Sequence, residues 1–270
     1  MKNVINLLFL IIYLFCVKSY ATEQAPDLLI YNKDTVYIYS NPLQEKEHLL
    51  KKDKRFLKLS CRSTACWRRY QATWELINDK LYLTKISSCC NSDITANLNL
   101  IFGDELIDKK VFAQWYVGKL IVPIGKKLYG EHLGYSSVHE HEDILEIKNG
   151  IKNRTTRVDN TKTRITYLRS DKLVIELIKK LDKSILDKIW KKKFGLRFYV
   201  DVESDENRHV TNVKIEYIKE IQYRKEILQI INEIQDWDIL YRHGKKANLP
   251  WMYPVIINRK KLKEYKKYWW

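Results

Sequence analysis

Glycine is scarce in this chain, eight in 270 residues, and the motifs that depend on it are missing. There is no Gly-x-Ser-x-Gly elbow to present a nucleophile, no phosphate-binding loop and no dinucleotide fingerprint. So few glycines leave little room for a main-chain cradle around a ligand. Proline is scarcer still. Pro26, Pro42, Pro123, Pro250 and Pro254 stand apart and form no run, which excludes a stiff proline-rich spacer. Beyond the N-terminus no apolar run is long enough to cross a bilayer. These absences remove the common nucleotide-binding and serine-hydrolase classes and leave an enzyme reading with little to stand on.

What is present begins with an address. "MKNVINLLFLIIYLFCVKSYATEQ" carries a basic start at Lys2, an apolar stretch from Val4 to Val17, and the small residues Ser19 and Ala21 two apart. This is the pattern of a secretory signal over residues 1–21, cut after Ala21. The apolar run is shorter than the roughly 20 residues of a permanent anchor. Lipidation at Cys16 is disfavoured by Phe15, which stands where such signals need a small residue. The expectation is a periplasmic or secreted protein, soluble after cleavage. Export leaves an even set of cysteines, Cys61, Cys66, Cys89 and Cys90, in a compartment where disulfides persist. Neighbouring cysteines bond each other only with strain, so bridges are expected from the Cys61/Cys66 pair to the Cys89/Cys90 pair, in an order the sequence leaves open. A zinc site fits less well, because Cys-Cys lacks the spacing of a ligand arm.

The formal charge of +16 falls to +14 once Lys2 and Lys18 leave with the signal. The lysines are spread along the chain and accompany many Ile and Asn residues, a mixture that reflects nucleotide composition. An exported protein rarely meets DNA. A solvated basic surface is therefore expected, with no nucleic-acid partner. The closing "KKLKEYKKYWW" is the one basic cluster. Residues 263–270 form a basic aromatic tail that is a candidate for peripheral contact with a membrane interface, although a terminus frays by default.

About 250 mature residues accommodate two domains, and the pattern changes near residue 165. Residues 22–165 read as an antiparallel β-rich module. "LLIYNKDTVYIY" is two short strands about a polar turn. "RRYQATWELINDKLYLTKI" places Tyr70, Ala72, Trp74 and Leu76 on one face and turns at 78–80. "VFAQWYVGKLIVPIG" is expected to turn at Gly118-Lys119, and "DILEIKNGIKN" carries the hairpin signal Asn149-Gly150. No helical period separates these hairpins. Residues 166–262 differ. Val174, Leu177, Ile178, Leu181, Ile185 and Ile189 recur three or four apart, as one amphipathic helix or two. Leu196, Phe198, Val200 and Val202 then share a strand face, and Val213, Ile215 and Tyr217 share another. Tyr223, Ile227, Ile230, Ile231 and Ile234 stripe a further helix. In "PWMYPVIIN", Trp251, Tyr253, Val255 and Ile257 alternate, and the prolines send this last strand to an edge. The fold class is α+β.

One stretch argues for chemistry. "YGEHLGYSSVHEHED" holds His132, His139 and His141 beside Glu140 and Glu142. Three imidazoles could bind zinc, with a carboxylate as base for a metal-dependent hydrolase. The spacing is not the helical His-Glu-x-x-His, and mixed His/Glu surface loops are common. These histidines are weak metal candidates. The main expectation is a non-catalytic protein without a cofactor.

The order helix, strand, strand, helix, strand over residues 170–260 resembles the C-terminal domain of the TonB energy-transducer family. "YVDVESDENRHVTNV" is similar to that family's first hairpin, "EILQIINEIQDWDI" to its helix and following Trp, and "RHGKKANLPWMYPVIIN" to the turn and last strand. Arg208 stands where the family has glycine. The resemblance implies an edge strand that captures an extended segment of an envelope protein in a bacterium with an outer membrane, with Trp251, Tyr253, Val255, Ile256 and Ile257 as the partner-binding residues. The family's energisers keep an N-terminal anchor and a proline-rich spacer, and this chain lacks the spacer. Binding or scaffolding is therefore expected ahead of energy transduction with a retained anchor.

Overall fold

The computed structural model describes residues 22–131, 134–168, 170–249 and 252–269. The signal segment with Cys16 and Ala21 lies outside the described residues, as do His132, Pro250, Trp251 and Trp270. Among the described residues no helix is long and apolar enough to cross a membrane.

The chain is α+β. A hairpin of β1 (Asp27–Tyr31) and β2 (Asp34–Ile38) opens it, closed by Asn32 and Lys33 at φ 53° and 69°. A 3-10 helix (Gln44–Lys52) and α1 (Lys54–Leu59) precede β3 (Gln71–Ile77) and β4 (Lys80–Ser87). After α2 (Leu98–Phe102) come β5 (Leu106–Ile107), β6 (Lys110–Phe112), β7 (Gly118–Tyr129), β8 (Val138–Lys148) and β9 (Ile151–Asp159). These nine strands form one mostly antiparallel sheet in the order β2-β1-β3-β4-β9-β8-β7, with β6 on β4 and β5 on β6. The pair β1–β3 is parallel, Leu28 opposite Thr73, a departure from the all-antiparallel expectation. The short helices are a second departure. Five or six residues are too few to display a helical period, and these turns are started by caps. Asp53 accepts the amide of Phe56, and Asn97 that of Leu100. The expected turn at Gly118-Lys119 is instead the start of β7. The chain reverses just before it, where Tyr116 N–H bonds the Ala113 carbonyl.

Two compact units result. The first runs to Val122 and includes Gly130–Ser137 and Ile144–Thr156; the second takes Pro123–Tyr129, Val138–Asp143 and everything from Arg157. In the first, Tyr70, Ala72 and Trp74 are fully buried. Asp27, also fully buried, accepts the Ala72 amide, the Trp74 indole N–H and the Arg68 guanidinium. The cysteines pair as Cys61–Cys90 and Cys66–Cys89 and tie the entry of the β3–β4 hairpin to its exit. The expected hairpin at 149–150 forms. Gly150, at φ 75°, is required there because a Cβ would lie 2.6 Å from the Ala113 carbonyl oxygen.

The second unit holds α3 (Lys172–Lys180), α4 (Lys183–Lys191), β10 (Leu196–Ser204), β11 (Val210–Glu216), α5 (Arg224–Asn232), β12 (Leu240–Arg242), β13 (Lys245–Ala247), β14 (Tyr253–Ile257) and α6 (Arg259–Glu264). The order helix, strand, strand, helix, strand is present, with the β12–β13 hairpin added before the last strand. The long amphipathic stripe breaks after Leu181, where Asp182 accepts the Ser184 amide and starts α4. All six of its apolar residues are buried, each side chain contributing about 1.5–3 kcal/mol. Leu196, Phe198, Val200 and Val202 are buried along β10 as the alternation requires. Tyr217 is not. β11 ends at Glu216, and Tyr217 turns out at φ 58° with 76% of its surface exposed. Arg208 occupies a left-handed position, φ 71°, and its guanidinium is fixed to the carbonyls of Asp236 and Trp237.

Candidate partner-binding edge

The three-stranded sheet of the second unit has the order β11-β10-β14, so β14 is an outer strand. Its register runs from Leu196 opposite Ile257 to Val200 opposite Tyr253. Tyr253, Val255 and Ile257 are buried in the unit's own core, while Ile256 is 41% exposed. Three of the predicted partner-binding side chains therefore face inward, and Ile256 faces out. Trp251 lies outside the described residues. What the strand offers is its backbone. Among the described residues, no main-chain hydrogen bond other than the ladder to β10 reaches Met252–Ile257. A proline is tolerated within a ladder where its nitrogen faces away from the neighbour. That rule turns the main-chain groups of Pro254 and Ile256 outward, with Ile256 supplying the N–H.

The strand is held from behind. Asp238, buried, accepts the amides of Tyr167 and Leu168 at 2.9 Å each, that of Thr166, and the Tyr253 hydroxyl at 3.3 Å. The Trp237 ring lies between Tyr167, at 4.5 Å between centroids, and Tyr253, at 4.9 Å. Burial, with Asp238 beside it, pushes the Tyr253 phenol far above its usual range and keeps it a neutral donor. Tyr253 and Pro254 line a groove of about 450 Å³ with Tyr167, Leu168, Asp171 and Val174. Beyond Val200, β10 runs on past the last register pair with β14, and Asp201, Glu203 and Ser204 line a polar hollow of about 360 Å³ with Lys246 and Met252.

His139, Glu140, His141 and Glu142 of the histidine-rich stretch lie on β8. The His139 carbonyl accepts from the Asn160 side-chain amide, the Glu140 carboxylate accepts the Lys126 main-chain N–H, and His141 lies 3.8 Å from Asp159. Glu142, 1% exposed, meets His243 Nδ1 at 2.6 Å. His243 and Gly244 form the β12–β13 turn, and Gly244 N–H bonds the Asn160 side chain. Among the described residues no group of three or more His, Cys, Asp or Glu is placed to hold a metal.

Residues 263–269 of the basic tail are folded back on the unit. Leu262 is buried, and Trp269 lies 6.0 Å from Trp190 and donates its indole N–H to the Leu262 carbonyl. No family model, curated protein or solved structure matches this chain. Sequence reasoning missed Asp238 and the pairing of Glu142 with His243. Only the uncommon placement of acidic residues amid apolar runs, "QDWDIL" and "EDILEI", marked them.

Proposed function

We propose that this is an exported, non-catalytic envelope protein that holds an extended segment of a partner protein against the outer side of β14. The observation that carries this reading is the unpaired backbone of an outer strand whose side chains are locked from behind. Such an edge gives affinity through main-chain hydrogen bonds and lets a neighbouring groove supply selectivity. The two disulfides accord with an oxidising compartment, and the signal over residues 1–21 would deliver the chain to the periplasm or beyond. The order of elements in the second unit, and its likeness to TonB C-terminal domains, supports the same mode of capture. Without a proline-rich reach, the role is adaptor rather than energy transducer.

Ile256→Pro tests it. The substitution removes the outward N–H and leaves the inward ladder through Tyr253, Val255 and Ile257. Capture of envelope proteins by the purified chain should fall at least about tenfold, the weight of roughly 1.4 kcal/mol, with hydrogen-exchange protection of β10 unchanged. Equal capture by the variant would remove the strand-addition reading.

A further inference from the structure

At the open end of the β10–β11 hairpin the second unit exposes large apolar side chains. Phe194 is 65% exposed, Tyr217 76% and Ile221 71%. Phe194 leads into β10, and Tyr217 follows β11, where its ring meets Tyr199 edge-on at 5.9 Å between centroids; Phe194 and Tyr217 share one hollow. Both line a hollow of about 440 Å³ with Lys192, Lys193, Arg197, Lys219 and Glu220. The hollow has four cationic side chains and one carboxylate, and Glu220 is already paired with Lys192 at 2.7 Å. Lys193 Nζ stands 5.3 Å from the Phe194 ring centre. Two features say that these rings are kept outside rather than left over. Tyr217 holds a left-handed backbone that is unfavourable for a bulky residue. Gly195, between Phe194 and β10, is at φ 67°, and a Cβ there would run into the Ile257 carbonyl oxygen. The turn that projects Phe194 is therefore closely packed on the end of β14.

We propose that this end of the second unit docks on an anionic lipid surface. Phosphate headgroups would enter the hollow among Lys193, Arg197 and Lys219, and Phe194, Tyr217 and Ile221 would sit at the headgroup level. Protruding aromatic side chains set among basic ones are the combination that an interfacial site requires. A second copy of this chain is disfavoured as occupant, because it would bring the same uncompensated positive charge to the contact. The site differs from the C-terminal tail, where Trp269 is turned inward.

The test is co-sedimentation of the mature chain with vesicles of phosphatidylcholine alone or with about a third phosphatidylglycerol. Partitioning should be at least about tenfold stronger on the anionic vesicles. Lys193→Glu with Lys219→Glu should remove that difference, and Phe194→Ala with Tyr217→Ala should weaken binding about tenfold at unchanged charge. Lys33→Glu with Lys51→Glu, the same charge change on exposed lysines of the first unit, should leave it within about twofold. Equal loss in that control would make the effect one of net charge and overturn the proposal. So would full release by inorganic phosphate, or binding to an acidic peptide with none to anionic vesicles.

Discussion

Around Asp27 in the first unit and Asp238 in the second, a buried carboxylate gathers donors from separate stretches of chain, but the donors differ. Asp27 has a cation, Arg68, itself only 13% exposed, alongside one amide and one indole. Asp238 has the amides of three consecutive residues and a phenol. The closures differ too. In the first unit, residues 60–70 and 88–97 flank the β3–β4 hairpin without forming a helix or strand and are joined by two disulfides; the second unit has no cysteine, and its main core is built from three amphipathic helices and one sheet face. Where segments lack regular structure, ion pairing and covalent bridges take over what aliphatic packing does elsewhere.

The sharpest way to break that contrast is to neutralise both carboxylates. Asp27→Asn leaves Arg68 as a buried cation without its anion and should cost about 3–5 kcal/mol. Asp238→Asn loses hydrogen bonds but strands no charge, and should cost about 1–3 kcal/mol. Urea unfolding of the two variants measures the difference, and equal losses would show that Arg68 finds solvent. Next in size is removal of the inner bridge with Cys66→Ser and Cys89→Ser. Its cysteines are 23 residues apart, a loop worth about 3 kcal/mol in the chain-entropy model. Hydrogen exchange should rise in β3 and β4 and stay unchanged in β10 and β14. Uniform loosening would end the claim that the second unit stands on its own core.

Much of this was open to sequence reasoning, because the signals are local. Asn32-Lys33, Asn78-Asp79 and Asn149-Gly150 all adopt the left-handed conformations that two-residue hairpins need. The stripes of α3, α4 and α5 are buried where their spacing puts them, and β14 alternates as read, although Tyr253, Val255 and Ile257, expected to meet a partner, face the core. The misses are non-local. Nothing near Glu142 announces His243, 101 residues on, and Asp238 gains its meaning from residues 166–168. Tyr217 was misplaced for a different reason. A strand that stops one residue early reverses the side of everything after it, and that reversal exposes the ring on which the lipid-docking proposal rests.

The smallest expected effect concerns how the second unit secures its end. Asp171, just before α3, accepts from Lys261 on α6 and from the Tyr265 hydroxyl at 2.8 Å. The Lys261 ammonium holds the Asp171 carboxyl below its ordinary value of 3.8. A carboxyl depressed on folding contributes stability that is present above that ordinary value and is lost as pH falls through the depressed one. Lowering pH from 5 to well below 3.8 should therefore loosen α6 from α3 before the unit unfolds. The pair is partly exposed, so the effect should stay under about 1 kcal/mol. It is readable in the fluorescence of the Trp190–Trp269 contact, and Asp171→Asn should show the loosened signal already at neutral pH. A signal that moves equally with pH in that variant would place the titration elsewhere and leave the chain end held by Leu262 and its aromatic neighbours alone.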